Sequence, residues 1–134
     1  MTKSLQDPLA SLIGNDVKST DRQRLAELLK LFLIIDQESK EFAFLPAFEL
    51  LGNNAEKIEI ILAGTKARAL LFDMPDGMTQ GEIIRLTVLA EGSVKSTLKR
   101  LTDGHKLKKD KEGRYSVPGY RIPDLMKYFT NINP

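Results

Sequence analysis

The chain has 134 residues and a mass of 15.0 kDa, a size typical of one compact domain with a short extension. Hydrophobic residues make up 42% of it, which excludes a wholly disordered chain, and no apolar run approaches the roughly 20 residues of a membrane helix. The net charge is only +2, and the absence of cysteine excludes disulfide scaffolds, thiolate zinc sites and cysteine nucleophiles. The first residues are polar and lack a secretory signal, so we expect a cytoplasmic protein with no membrane or metal partner.

The beginning of the chain is predicted to be a flexible tail followed by a helix. Residues 1–19 are polar with scattered leucine and isoleucine, as is typical of a mobile or loosely docked segment. Thr20 and Gln23 match a capping box that would start a helix. Its apolar residues recur at helical spacing on one face, namely Leu25, Leu28, Leu29 and Phe32.

A small hairpin is predicted next. Residues 33–36 are short and β-branched, residues 41–45 alternate, and a polar turn separates the two stretches. A short helix over 47–51 would then end at Gly52. Residues 20–53 are thus predicted to form an extension made of a helix and a β-hairpin.

A long helix from about Ala55 to about Asp73 is predicted to be central. Asn53 or Asn54 is a suitable N-cap, and the stretch is apolar around much of its circumference, as in a helix buried on more than one side. Residues 57–60 alternate and are also compatible with a strand. Helix is favoured because no turn residue occurs before Gly64.

Two further helices follow a Pro-Asp-Gly turn. Thr79 and Glu82 match a second capping box, which opens a short helix. After a turn, a helix is predicted over about 91–102 with Gly104 at its C-terminal end. Its core-facing residues recur at helical spacing, namely Val94, Leu98 and Leu101.

The last part of the chain is predicted to be a hairpin and a short helix. Residues 106–110 and 114–117 flank a turn that contains Gly113, as in a hairpin. A closing helix over 122–129 has a proline near its first turn.

Positive charge is concentrated in this part of the chain. Residues 1–53 carry a net charge of −2, and residues 54–134 carry +4. Residues 93–121 hold nine basic and three acidic side chains, a net charge of +6. Such a segment on a near-neutral chain is compatible with a local anionic target, but on charge alone a solvated lysine face is favoured.

The order of elements after residue 54, together with the residues themselves, resembles the winged helix-turn-helix family over roughly residues 56–118. The residues that carry the resemblance are Thr79, Glu82, Ile83, Leu89, Ser93, Val94, Lys95, Leu98, Lys99, Arg100, Leu101, Gly104, Leu107, Tyr115 and Val117. The resemblance implies a mainly α fold with small β content, in which residues 54–134 form a winged helix domain. It also implies sequence-specific binding of double-stranded DNA, with no cofactor, by a transcriptional regulator that acts as a homodimer. A DNA-organising role, or a replication role for a mobile element, is not separated from regulation.

The expected DNA contacts come from the helix over 91–102 and from the hairpin. A B-DNA major groove is about 12 Å wide and accepts one α-helix, while phosphate contacts fix its register. The helix face opposite the core offers Ser93, Lys95, Ser96, Lys99 and Arg100. The hairpin offers Lys108, Lys109, Lys111 and Arg114.

Three positions depart from these expectations or leave them open. Ala90 stands where a polar N-cap of the helix over 91–102 is expected, and His105 stands where an apolar residue commonly opens the hairpin. Thr97 fits either the edge of the core or the surface. Tyr115 is expected to pack the hairpin on the domain rather than to contact nucleic acid.

The sequence also bears on classes of function other than DNA binding. The sequence has no phosphate loop, metal motif or nucleophile motif, which argues against an enzyme. The main alternative is a protein–protein interaction module on the same fold, using apolar residues within 25–32. The same residues, with the long helix, are candidates for a dimer interface, and a ligand-sensing regulator stays open.

Overall fold

The computed structural model of the chain describes residues 8–9 and 21–132. The fold is mainly helical with small antiparallel sheets, as the sequence predicted. In chain order the elements are α1 (Arg22–Leu29), β1 (Leu33–Ile35), β2 (Phe42–Phe44), α2 (Pro46–Glu49), α3 (Asn54–Phe72), β3 (Met78–Thr79), α4 (Gln80–Thr87), α5 (Glu91–Asp103), β4 (Lys108–Lys109), β5 (Arg114–Ser116), a 3₁₀ turn (Gly119–Arg121) and α6 (Ile122–Ile132).

The N-cap of helix α1 lies one residue later in the chain than predicted. Asp21 is the N-cap, and its carboxylate accepts from the backbone N–H groups of Gln23 and Arg24, both at 3.1 Å. The prediction of Thr20 as the cap is therefore wrong, because the Asp21 carboxylate takes the free amides of the first turn. Thr20 itself lies outside the described residues, as does the predicted tail over 1–19 apart from residues 8–9.

The apolar face of α1 is buried inside the chain. Its four predicted residues are all at most 5% exposed, namely Leu25, Leu28, Leu29 and Phe32. The Phe32 ring meets the Phe129 ring of α6 edge-on, with 5.3 Å between centroids. Of the apolar residues within 25–32 that an interaction module would use, these four are therefore buried in the core with the C-terminal helix, whereas Leu31 is 39% exposed.

Strands β1 and β2 form the predicted hairpin. They pair antiparallel with Leu33 opposite Phe44 and Ile35 opposite Phe42. In the turn, the Asp36 carboxylate accepts from the backbone N–H of Ser39 at 2.8 Å, which holds the two strands close.

Helix α3 is central, as predicted, and the alternating residues 57–60 lie within it. Asn53 is its N-cap and accepts from the backbone N–H of Glu56 at 2.8 Å. Gly64 permits close packing, because a Cβ atom there would lie 2.9 Å from Leu33 Cδ2. Four buried polar residues of α3 were not foreseen, namely Glu56, Glu59, Thr65 and Lys66. Lys66 is fully buried, and its Nζ lies 2.6 Å from Asp76 Oδ2.

A second, three-stranded sheet has the order β3-β5-β4, with all pairs antiparallel. Strand β3 was not predicted, because two residues are too few to show an alternating pattern. It pairs Met78 with Tyr115 and Thr79 with Arg114. The preceding Gly77 has φ +122°, and a Cβ atom there would lie 2.7 Å from the Tyr115 carbonyl oxygen, so glycine is required.

Helices α4 and α5 form a pair joined by residues 88–90. The capping box predicted at Thr79 and Glu82 is confirmed, with both reciprocal hydrogen bonds present. Ala90 precedes α5 without a side-chain cap, also as predicted, and α5 ends at Gly104.

Val88 occupies the left-handed region at φ 58° although it is β-branched and 87% exposed. The left-handed conformation costs a non-glycine residue roughly 1–2 kcal/mol, and glycine removes this strain. Glycine also loses more backbone entropy on folding, which offsets about 0.5–1 kcal/mol of the gain. We therefore expect Val88→Gly to raise the free energy of unfolding by about 0.5–1 kcal/mol. Urea denaturation measures the change, and Val88→Ala, which keeps the strain, is the control. An equal loss of stability in both variants would contradict the assignment of strain.

One hydrophobic core contains buried side chains from Leu25 to Phe129. It includes side chains of α1 and β1 as well as those of α3, α5 and α6. The predicted extension is therefore packed on the rest of the molecule from α1 onward, and α6, the last helix, packs against α1.

Candidate nucleic-acid interface

The outer face of α5 is polar and exposed. Its buried residues are Val94, Leu98 and Leu101, as the helical spacing predicted, and Thr97 joins them at 7% exposed. On the opposite side the structure leaves open to solvent all five predicted residues, namely Ser93, Lys95, Ser96, Lys99 and Arg100.

A cavity of about 320 Å³ lies between α5, the hairpin and the start of α4. Lys95 and Lys99 line it from the helix, and Lys109 lines it from strand β4. Its other walls come from Gln80, Thr102, Asp103 and Tyr115. The fold thus brings together lysines that are separated by up to 14 positions in the sequence, a convergence that periodicity alone does not reveal.

Weak internal contacts leave these lysines available. Lys99 Nζ lies 3.1 Å from Asp103 Oδ2, but the two side chains are 77% and 67% exposed. Exposed pairs one helical turn apart contribute only about 0.3–0.5 kcal/mol, so a phosphate can displace this carboxylate. Lys109 Nζ lies 5.4 Å from the centre of the Tyr115 ring, which orients it beside the cavity.

The side chain of Asp110 holds the tip of the hairpin in place. Asp110 Oδ1 accepts from the backbone N–H groups of Glu112 and Arg114, both at 2.9 Å, and Gly113 has φ +80°. The side chains of Lys108, Lys109 and Lys111 are exposed.

Arg114 is placed apart from the other predicted contacts. Its Nη1 lies 3.2 Å from Glu82 Oε1 and 3.5 Å from the Gly77 carbonyl oxygen, and its side chain is partly buried. The guanidinium therefore ties β5 to the first turn of α4. In this structure Arg114 positions the hairpin, whereas Lys95, Lys99 and Lys109 face the cavity.

The same contact gives the fold an acid-sensitive element. The backbone N–H of Thr79 and, to a lesser extent, the Arg114 guanidinium hold the pKa of Glu82 below its usual value of 4.5. A carboxyl with a lowered folded-state pKa stabilises the fold above its unfolded pKa and loses that contribution as pH falls through the folded one.

Glu82→Gln is therefore expected to lower the free energy of unfolding at neutral pH and to have a shrinking effect below about pH 4.5. Denaturant unfolding of both proteins across this range measures the difference. A difference that stays constant down to about pH 3 would contradict the assigned role of the charge.

The base of the hairpin packs despite His105. His105 is exposed with φ 61°, and its carbonyl oxygen accepts from the Tyr120 hydroxyl at 3.1 Å. Leu107 and Val117 are buried instead and supply the apolar contacts. Tyr115 is partly buried against the core, in line with its predicted packing role.

Within residues 8–9 and 21–132, no helix is long and apolar enough to cross a membrane. In the same ranges no three or more histidine or acidic side chains are grouped so as to hold a metal ion.

Comparisons of the chain with protein-family models, with curated proteins and with solved structures found no match.

Proposed function

We propose that the chain is a winged helix protein that binds double-stranded DNA, with α5 as the recognition helix and β4–β5 as the wing. The observation that carries the proposal is the convergence of Lys95, Lys99 and Lys109 from two elements on one cavity. The order of helices, and the short strand β3 that pairs with the second wing strand, support the fold assignment.

The side chains on α5 suit the two kinds of contact that a duplex offers. Ser93 and Ser96 are small and exposed, so they allow close approach and donate to base edges or phosphates. Lys95 and Lys99 reach guanine acceptors or phosphates. Arg100, nearer the end of the helix, is placed for the sugar-phosphate backbone.

Transcriptional regulation by a homodimer is part of the proposal. Leu25, Leu28, Leu29 and Phe32 are buried in the core, so the contact between copies needs another surface. Between α1 and α3, Leu70 and Leu71 line an apolar groove with Ala26 and Ala67, and Leu71 is exposed. We place the dimer contact there, and sedimentation equilibrium tests it.

A duplex-binding titration at several salt concentrations tests the function. If about five lysine and arginine side chains engage phosphates, the logarithm of the binding constant should fall with log salt at a slope near −4 to −5. A protein-interaction module predicts no salt-dependent duplex binding at all. Absent or salt-insensitive binding would therefore reject DNA binding in favour of that alternative.

A further inference from the structure

A second polar cavity, of about 360 Å³, lies on the other side of α5. Its walls come from the first turns of α3, the C-terminal part of α5 and the start of α6. Six charged side chains line it: the cations Arg100, Lys106 and Arg121, and the carboxylates Glu56, Glu59 and Asp124. The formal charges balance, but the hydrogen bonding does not.

The two buried carboxylates already have donors from the protein. Glu59 Oε2 accepts from Arg121 Nη2 at 3.0 Å. Glu56 accepts from the backbone N–H of Gly52 at 3.0 Å and from the Tyr128 hydroxyl. These carboxylates stabilise the cavity wall and do not need a ligand.

The donors that remain in the cavity belong to the cations. Arg121 Nε is buried and has no acceptor among the described residues. Arg100 and Lys106 are exposed at the rim, and neither forms an ion pair within residues 21–132. Arg121 Nε itself is closed to solvent, so the exposed guanidinium of Arg100 and the exposed ammonium of Lys106 are the donors that the cavity offers to an oxygen-bearing anion.

We propose that this cavity binds a small organic anion, through its carboxylate or phosphate oxygens, between Arg100, Lys106 and Arg121. The volume suits a small metabolite, and charge-assisted hydrogen bonds from guanidinium and ammonium groups favour such oxygens.

The site also shares a residue with the proposed DNA contacts. Arg100 lines the cavity and lies on the same helix as Lys95 and Lys99. An anion bound by Arg100 withdraws that cation from the duplex backbone, so the ligand and DNA oppose each other. This regulatory part rests on the proposed function, whereas the binding of the anion does not.

Titration of the isotopically labelled protein with inorganic phosphate and, separately, with succinate tests the site without DNA. Ionic strength is held constant, and amide chemical shifts report binding. We expect saturable shifts around residues 100–106 and 121. Lys106→Ala should weaken binding about fivefold or more, since a charge-assisted hydrogen bond is lost. Lys30→Ala removes an exposed lysine just after α1 and should leave binding unchanged.

Removing a negative charge from the cavity wall tests whether the ligand is an anion. Glu59→Gln keeps the contact to Arg121 but removes a negative charge, so anion affinity should rise. If Glu59→Gln disturbs folding, Asp124→Asn replaces it as the test. The Asp124 side chain is 72% exposed, and its substitution should also raise anion affinity. Saturation by only one of the two probes assigns the ligand as a phosphate or a carboxylate.

The result that overturns the proposal is saturation by neither probe, or equal binding by the Lys106→Ala and Lys30→Ala proteins. Duplex affinity is then measured with and without the probe that binds. Loss of the anion site with intact duplex binding would reject this inference alone, whereas the reverse result would reject the proposed function.

Discussion

Asp76→Ala is expected to lower the free energy of unfolding by about 3–5 kcal/mol, because it leaves the Lys66 ammonium buried without its carboxylate. Lys66 is fully buried in α3, the Asp76 side chain is 14% exposed, and Nζ lies 2.6 Å from Oδ2. Removing one member of a buried pair costs far more than the net contribution of the pair, since the remaining charge stays desolvated. Urea denaturation at neutral pH measures the loss.

The exposed pair of Lys99 and Asp103 provides the control. Asp103→Ala breaks an ion pair of similar geometry in water, where the expected change is within about 0.5 kcal/mol. The double variant Lys66→Met/Asp76→Leu should recover most of the stability lost in Asp76→Ala. If Asp76→Ala costs no more than Asp103→Ala, the buried charge does not have the assigned role.

The Lys66–Asp76 pair is connected to the candidate DNA-binding cavity through strands β3 and β5. Asp76 fixes the turn that leads through Gly77 into β3, and β3 pairs with β5 of the hairpin. Strand β5 carries Tyr115, which lines the cavity beside Lys109. Damage to the Lys66–Asp76 contact is therefore expected to loosen the hairpin as well as to destabilise the fold.

Local sequence signals predicted most of the elements, because they depend on neighbouring residues. The capping box at Thr79 and Glu82, the Asn53 cap and the end of α5 at Gly104 each involve contacts within about one helical turn. The buried and exposed faces of α5 follow from helical spacing alone. Only Thr97 was left undecided by the pattern, and packing places it in the core.

Contacts between distant residues were missed for the opposite reason. Arg114 contacts Glu82 from 32 positions away, so the sequence alone groups Arg114 with the exposed hairpin lysines. Lys66 in α3 contacts Asp76 in the turn that follows the helix, ten positions away. The sequence alone does not distinguish this buried lysine from one that faces solvent. Gln80 was not proposed as a site residue, although its place just after the helix cap puts it beside the hairpin.

Removing the three cavity lysines together is expected to reduce duplex affinity by about two to three orders of magnitude at roughly 0.1 M salt. Each phosphate contact contributes about 0.9 to the log–log salt slope, so the slope of Lys95→Ala/Lys99→Ala/Lys109→Ala should become shallower by about 2.7. The three side chains are exposed, so the melting temperature should change little. Fluorescence anisotropy with a labelled duplex across several salt concentrations gives both quantities.

A control of equal charge separates the local site from the net charge of the protein. Arg24 on α1, Lys30 just after α1 and Lys127 on α6 are exposed cations away from the cavity and from the proposed dimer groove, and their triple alanine variant loses the same three charges. Long-range attraction alone would weaken both variants equally, whereas phosphate contacts at the cavity weaken only the first. Equal losses in the two variants would therefore show that α5 and the hairpin form no specific interface, and the recognition role of α5 would have to be abandoned.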